Sequence, residues 1–304
     1  MNPSAACVSR TIVLAYGKIN LTLEILARRD DGYHTLRSVM LPIGLADEIS
    51  VGPAERFTFT CEPPELGAGN LVVRALERVG LGAAPIAVTL RKRVPVGAGL
   101  GGGSSDAAAI LRAAMSGAFG LLPARDWIAD ARALGSDIPF FLVDGGALVE
   151  GTGERVTALG ALPPWFLVLL VPGVPIATAD AFRRLAQVRA AHPAPVRPRS
   201  YSASLRALAA LQRADYPATI AAAVNDFEPI VREICPDVGS ALDALRAAGA
   251  EHAMLSGSGS ACFALCRDAA GAGRLAAGVR VPAGASIAVL PFAPTPSWRA
   301  PTPA

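Results

Sequence analysis

The chain has 304 residues, 52% of them hydrophobic and 17% charged, with a formal net charge of +3. That balance fits a compact enzyme of one or two units with a large buried core and excludes a disordered chain. The small charge, the sparse aromatics and the lack of any basic block longer than Arg91-Lys92-Arg93 argue against nucleic acid as the main partner. No apolar run approaches the ~18 residues needed to span a bilayer, so no membrane partner is expected.

In chain order, residues 18–25 alternate strictly. Ile19, Leu21, Leu23 and Ile25 share one face, and Lys18, Asn20, Thr22 and Glu24 share the other. This predicts a strand with one face on a core and with Lys18 and Asn20 side by side on the polar face. Arg28-Arg29-Asp30-Asp31-Gly32 reads as a turn, followed by Tyr33, His34 and a second strand through Ile43. Short strands over 48–51 and 57–60 precede a helix over 71–79, capped by Asn70, and a strand over 86–90.

After a glycine-rich loop and its helix, a second helix is expected over 124–134 and a strand over 147–149. The break Leu162-Pro163-Pro164 marks a change of unit, which divides the chain into 1–160 and 161–304. A buried strand over 165–171 opens the second half. Helices are expected over 179–190, 203–212, 217–224 and 238–247, with a proline-rich loop over 192–198. The strands 254–255 and 261–266 flank Ser256-Gly257-Ser258-Gly259-Ser260, and a helix and a strand over 286–290 follow. The proline-bearing tail from Pro291 is expected to fray.

The five cysteines, Cys7, Cys61, Cys235, Cys262 and Cys266, are scattered and odd in number. They fit a reducing compartment better than a disulfide framework. No secretion signal is read at the N-terminus, so a cytoplasmic location is expected. Cys262 and Cys266 share a strand face and read as small buried hydrophobes rather than metal ligands.

The most informative run is Pro95-Val96-Gly97-Ala98-Gly99-Leu100-Gly101-Gly102-Gly103-Ser104-Ser105. Glycine lets successive backbone N–H groups face a ligand and removes side chains that would hold it off. The alanine-rich helix that follows adds unpaired N–H groups and the positive end of its dipole. A polyphosphate site follows, where a flexible linker would have polar, disordered flanks. No lysine follows the glycines, which excludes a Walker A loop. The basic approach through Arg91-Lys92-Arg93 does not suit a dinucleotide fold, and no His-Arg-Asp or Asp-Phe-Gly lies downstream to suit a protein kinase.

Catalysis on a phosphate needs a cation and a base. Lys18 is the candidate cation, against the reading of a lysine on an exposed sheet face. Asp137 is the candidate base, set beside the apolar Ile138-Pro139-Phe140-Phe141-Leu142, against the reading of a helix cap with Pro139 in the first turn. Ser104 and Ser105 suit phosphate or magnesium. Asp106, early in the helix, reads as a capping residue or as a partner for magnesium-bound water. The Gly257–Gly259 turn is either a plain hairpin or a second approach to phosphate, and the residues alone leave both open.

Together these segments resemble the GHMP kinase superfamily of small-molecule kinases. The marks are Lys18-Ile19-Asn20-Leu21-Thr22-Leu23, Asp31-Gly32-Tyr33-His34, the glycine loop through Asp106, Gly135-Ser136-Asp137-Ile138-Pro139, Asn225-Asp226-Phe227-Glu228 and the Ser256–Ser260 turn. They run in family order over residues 11–292. The closest match is to the branch that phosphorylates the 2-hydroxyl of a diphosphocytidyl methylerythritol in non-mevalonate isoprenoid synthesis. The resemblance implies an α+β two-domain fold with the site in the inter-domain cleft, ATP as co-substrate and Mg2+. It implies Lys18 and Asp137 as catalytic residues and Pro95 to Ser105 as the ATP loop, with Ser105 toward the metal. Asn20, Tyr33, His34 and Phe182 would hold the substrate, Tyr33 by stacking on cytosine. The family's Ala-Pro-Ala-Lys reads Ala15-Tyr16-Gly17-Lys18 here. A kinase of a smaller alcohol, mevalonate- or homoserine-type, and a catalytically idle nucleotide sensor are the alternatives, and a homodimer is kept open.

Overall fold

Two long strands organise the molecule: β1 (Thr11–Arg28) and β2 (His34–Pro53), paired antiparallel along nearly their whole length. The structure is a computed structural model, and it describes residues 10–28, 34–120, 124–191 and 202–292. The expectations for Tyr33, the 192–198 loop and most of the tail fall outside those residues.

The other edge of β2 is shared. Its far half pairs with β4 (Ile86–Arg91) and its near half with β5 (Gly146–Gly151). β3 (Thr58–Glu62) runs parallel to β4, and β6 (Arg155–Gly160) completes a hairpin with β5. A smaller sheet in the second half has the order β11-β7-β10-β9, from β7 (Phe166–Val171), β9 (Ala253–Leu255), β10 (Cys262–Cys266) and β11 (Ser286–Pro291).

Helices α1 (Leu71–Arg78), α2 (Gly102–Met115) and α3 (Trp127–Leu134) cover one face of the large sheet around Ile49, Leu76, Leu90, Ile110 and Phe140. α1 starts as expected, with the Asn70 Oδ1 accepting from the Val72 amide at 2.9 Å. α3 starts later than expected because Asp126 caps it, accepting from Ile128 and Ala129. On the second half, α4 (Thr178–Ala191), α7 (Glu228–Ile234), α8 (Pro236–Ala247) and α9 (Ala269–Gly278) enclose a core around Val168, Leu170, Phe227 and Leu242. Cys262 and Cys266 are buried in that core.

A third core joins the two sheets. Ile19, Leu21, Val39 and Leu41 of the large sheet pack with Leu167, Leu169, Phe263 and Leu290 of the small one, together with α5 (Ala203–Gln212) and α6 (Tyr216–Ala222). α6 ends earlier than its sequence pattern suggests because Val224–Asn225 forms β8, which pairs parallel with Thr22 and Leu23.

The strict alternation read over 18–25 does not survive. Asn20 pairs with Met40 and Thr22 with Val39, so Leu21 is an extra residue on β1. Such a bulge exchanges the faces of everything beyond it. Thr22 joins Ile19 and Leu21, its Oγ1 2.8 Å from the Ser204 Oγ, and Glu24 turns to the start of α5, accepting from the Ala203 and Ser204 amides. Leu23 and Ile25 move to the side of Lys18 and Asn20. That side is not a solvated sheet face: Lys18 is 3% exposed and Asn20 is 1% exposed.

Candidate active site

The exchanged face is the floor of a cleft of about 1230 Å³. Lys18, Asn20, Leu23 and Ile25 of β1 lie beside His34, Leu36 and Met40 of β2. The glycine loop and Asp137 close one end, and Phe182 and Phe227 stand at the other. The floor therefore passes from charged to apolar along one pair of strands.

At the charged end, the Lys18 Nζ donates to the Asn20 Oδ1 at 2.7 Å and to the Gly99 carbonyl at 2.8 Å, and lies 3.8 Å from the Asp137 Oδ2. Burial holds the Lys18 ammonium below its ordinary value, against the opposing pull of Asp137. Asp137 immediately precedes the 3-10 helix Ile138–Leu142, but its side chain caps nothing. Asp137 thus holds the N-cap position with Pro139 in the first turn, but its carboxylate makes no capping bond and, about one-third exposed, faces the cleft.

The loop is held from behind. The Gly97, Ala98 and Gly99 carbonyls accept, in turn, from Ile176 N, Ala261 N and the Ser256 Oγ. A Cβ on Gly99, whose φ is +75°, would sit 2.2 Å from the Ser256 carbonyl oxygen. The second glycine turn is thus neither a plain hairpin nor only a ligand contact. Ser256 braces the glycine loop, while Gly257 and Ser258 line the cleft. Gly17 is close-packed but less tight, since a Cβ there would meet the Leu100 oxygen and Val94 at 3.3 Å. The Lys18 amide donates to that Leu100 oxygen at 2.9 Å, so the Tyr16-Gly17 variation leaves the lysine firmly seated.

Ser105 needs correction as the metal residue. It is buried, and its hydroxyl donates to the Tyr16 carbonyl at 2.7 Å. Ser104 lines the cleft instead. Asp106 caps no helix either: Gly101 is the N-cap of α2, and Asp106 lies beyond the first turn. Its Oδ2 accepts from the Lys92 Nζ at 2.6 Å, and the same ammonium donates to the Asp47 Oδ2 at 2.5 Å. Burial, with the charge of Asp47, pushes the Asp106 carboxyl up to about 7 despite Lys92. Burial works to lower the Lys92 ammonium, but Asp106 and Asp47 outweigh it and hold it above its ordinary value. Sequence reasoning passed over Lys92 and Asp47, because Lys92 sits in the basic run Arg91-Lys92-Arg93 and only the fold brings Asp47 and Asp106 to it.

At the apolar end, the His34 ring stacks on Phe182 with centroids 5.4 Å apart, and Phe182 meets Phe227 edge-on at 4.8 Å. A planar base does not fit between His34 and Phe182 at that spacing, so it would lie against them in this arrangement. The Asn20 amide, donating to the Ser38 Oγ at 2.8 Å, ties the two strands beneath.

A buried lysine beside a carboxylate, next to a helix-opening glycine loop, is the equipment of phosphoryl transfer. The family models "GHMP kinases N terminal domain" and "GHMP kinases C terminal" match residues 70–145 and 207–280. A solved structure, "Crystal structure of L. major mevalonate kinase in complex with R-mevalonate", shares the fold at a TM-score of 0.69 and 16% identity, covering 96% of this chain and 98% of that one. Fold and site thus define a GHMP kinase, a small-molecule kinase whose class takes phosphate from ATP. Among relatives, the 4-diphosphocytidyl-2-C-methyl-D-erythritol kinase of Moorella thermoacetica is 38% identical over 269 residues, covering 86% of this chain and 92% of the relative. That of Deinococcus radiodurans is 40% identical over 274 residues, covering 86% of each. A crystal structure of 4-(cytidine 5'-diphospho)-2C-methyl-D-erythritol kinase matches at 36% identity and a TM-score of 0.72, over 93% of this chain and 100% of that one. The chain belongs to the 4-diphosphocytidyl-2-C-methyl-D-erythritol kinase family.

Proposed function

We propose that the chain transfers the γ-phosphoryl group of ATP to the 2-hydroxyl of 4-diphosphocytidyl-2-C-methyl-D-erythritol, giving the 2-phosphate and ADP. The observation that carries this reading is the single cleft in which Lys18, Asp137 and the glycine loop share a floor with the apolar, aromatic end at His34 and Phe182. The methylerythritol hydroxyl lies at the charged end, and the cytosine lies against the aromatic one.

Asp137 takes the hydroxyl proton as the alkoxide oxygen bonds to the γ-phosphorus and the bond to the ADP oxygen breaks. Lys18, 3.8 Å from that carboxylate, offsets charge at the γ-phosphate, and Asn20 orients Lys18 through the 2.7 Å bond. Residues 95–104 of the loop receive the triphosphate, with Ser105 tying the loop to the Tyr16 carbonyl behind it. The loop is a cradle a Cβ would fill: at Gly101 it would lie 3.2 Å from the Lys18 side chain and 2.9 Å from Phe141. An oxygen ligand of the kind magnesium takes is present on the cleft in Ser104, which would hold it with the nucleotide phosphates. When bound, magnesium neutralises charge on the phosphate oxygens. A cytoplasmic location belongs to the same proposal and is supported by the free thiols of Cys61, Cys235, Cys262 and Cys266.

An ADP-release assay run in parallel with the diphosphocytidyl substrate, mevalonate and homoserine tests the reading. Turnover confined to the diphosphocytidyl alcohol is expected. Preferred turnover of either smaller alcohol would overturn it.

A further inference from the structure

The phosphate loop leaves the sheet at Lys92 and enters α2 at Gly102, and one ammonium joins its two ends. Lys92 is bonded to Asp106, fourteen residues on and in the helix, at 2.6 Å. It is also bonded to Asp47 of β2, whose Oδ1 accepts from the Arg93 amide at 2.5 Å and the Val94 amide at 2.8 Å. Lys92 and both aspartates are almost fully buried, and a Cβ on Gly102 would come within 3.2 Å of the Lys92 Nζ. The Asp106 Oδ1 is buried with no hydrogen-bond partner. Lys92 and Asp106 line the cleft but have no part in the catalytic reading, and a nearly buried carboxylate beside a polyphosphate site is unfavourable for ligand binding unless it does structural service to that site.

We infer that Asp106 is a positioning residue: by holding Lys92 it clasps the two ends of the phosphate loop, and through Lys92 and Asp47 it sets that loop against β2 in the shape that receives nucleotide phosphates. The clasp acts before ATP arrives, so its effect falls on ATP affinity and not on the alcohol substrate. Asp47 does the same for the incoming segment, since it bonds two successive amides and the ammonium together. This inference rests on the assignment of the loop to ATP.

The test compares Asp106→Ala and Asp106→Asn by calorimetric titration with ATP and by steady-state kinetics. Asp106→Ala removes the clasp and is expected to weaken ATP binding and raise the KM for ATP by at least about tenfold, with the KM for the alcohol within about twofold. Asp106→Asn keeps an oxygen acceptor for Lys92 and is expected to recover ATP affinity to within about threefold of the unmutated enzyme. If Asp106→Ala does not fold, Asp106→Ser, whose hydroxyl is too short to span to Lys92, takes its place with the same expectation. Unchanged ATP affinity in a folded truncation overturns the clasp, as does an Asn variant as impaired as the truncation. An unmutated enzyme that does not bind ATP at all would instead overturn the assignment of the loop.

Discussion

Asp137 carries a sharp expectation because its carboxylate caps no helix and stands 3.8 Å from the Lys18 ammonium. Asp137→Asn keeps the shape and removes the base, so kcat should fall by at least ~100-fold while ATP affinity holds. Near-normal turnover in the folded variant would remove it from the mechanism. Lys18 adds a pH dependence. Its ordinary value is 10.5, and burial lowers it, so the ammonium loses its proton earlier than an exposed lysine as pH rises. The alkaline limb of kcat/KM, which reports the free enzyme, should therefore fall below pH 10.5, with activity present on the acidic side of that limb. An alkaline limb at or above the ordinary lysine value would contradict it. Both residues are legible in sequence, because a lone charge in an apolar run asks for an explanation. Lys92 is not, since between Arg91 and Arg93 it reads as one more solvated charge. Only the fold brings Asp47 and Asp106 to it.

At the scale of elements, most helices and strands follow from periodicity and caps, and the failures have physical causes. The bulge at Leu21 carries no glycine or proline to announce it, yet it moves Leu23 and Ile25 into the cleft and turns Glu24 out to α5. α7 is short and hidden behind Asn225, whose side chain bonds the Leu255 and Gly257 carbonyls and the Phe227 amide. The loop and the second glycine turn are both evident as motifs, but their mutual packing is not, because it depends on contacts between distant residues. Gly99→Ala tests that packing. It places a Cβ 2.2 Å from the Ser256 oxygen at a φ of +75°. The expected loss is about 2–4 kcal/mol of stability, read by urea denaturation. A loss under about 1 kcal/mol would mean the two turns do not meet as described.

For the whole molecule, the core between the sheets draws on both sides of residue 160, with Ile19, Val39 and Leu148 against Leu167, Phe263 and Leu290. We propose that the 1–160 and 161–304 units are halves of one cooperative body and not independently folding domains. Unfolding followed by tryptophan fluorescence and by far-ultraviolet circular dichroism should then give coincident single transitions. Two separated transitions would argue for independent units.

The carbonyls of Gly97, Ala98 and Gly99 are all engaged by donors from outside the loop. In a planar trans peptide the N–H points opposite to the C=O. Anchoring three successive oxygens therefore turns the Ala98, Gly99 and Leu100 hydrogens away from the anchors, and the orientation of each peptide dipole is fixed without help from a ligand. The second half of the chain thereby acts as a jig for an electric field in the first. In the proposed transfer, reorientation that water or a limp loop would have to undergo during the reaction has then already been completed during folding.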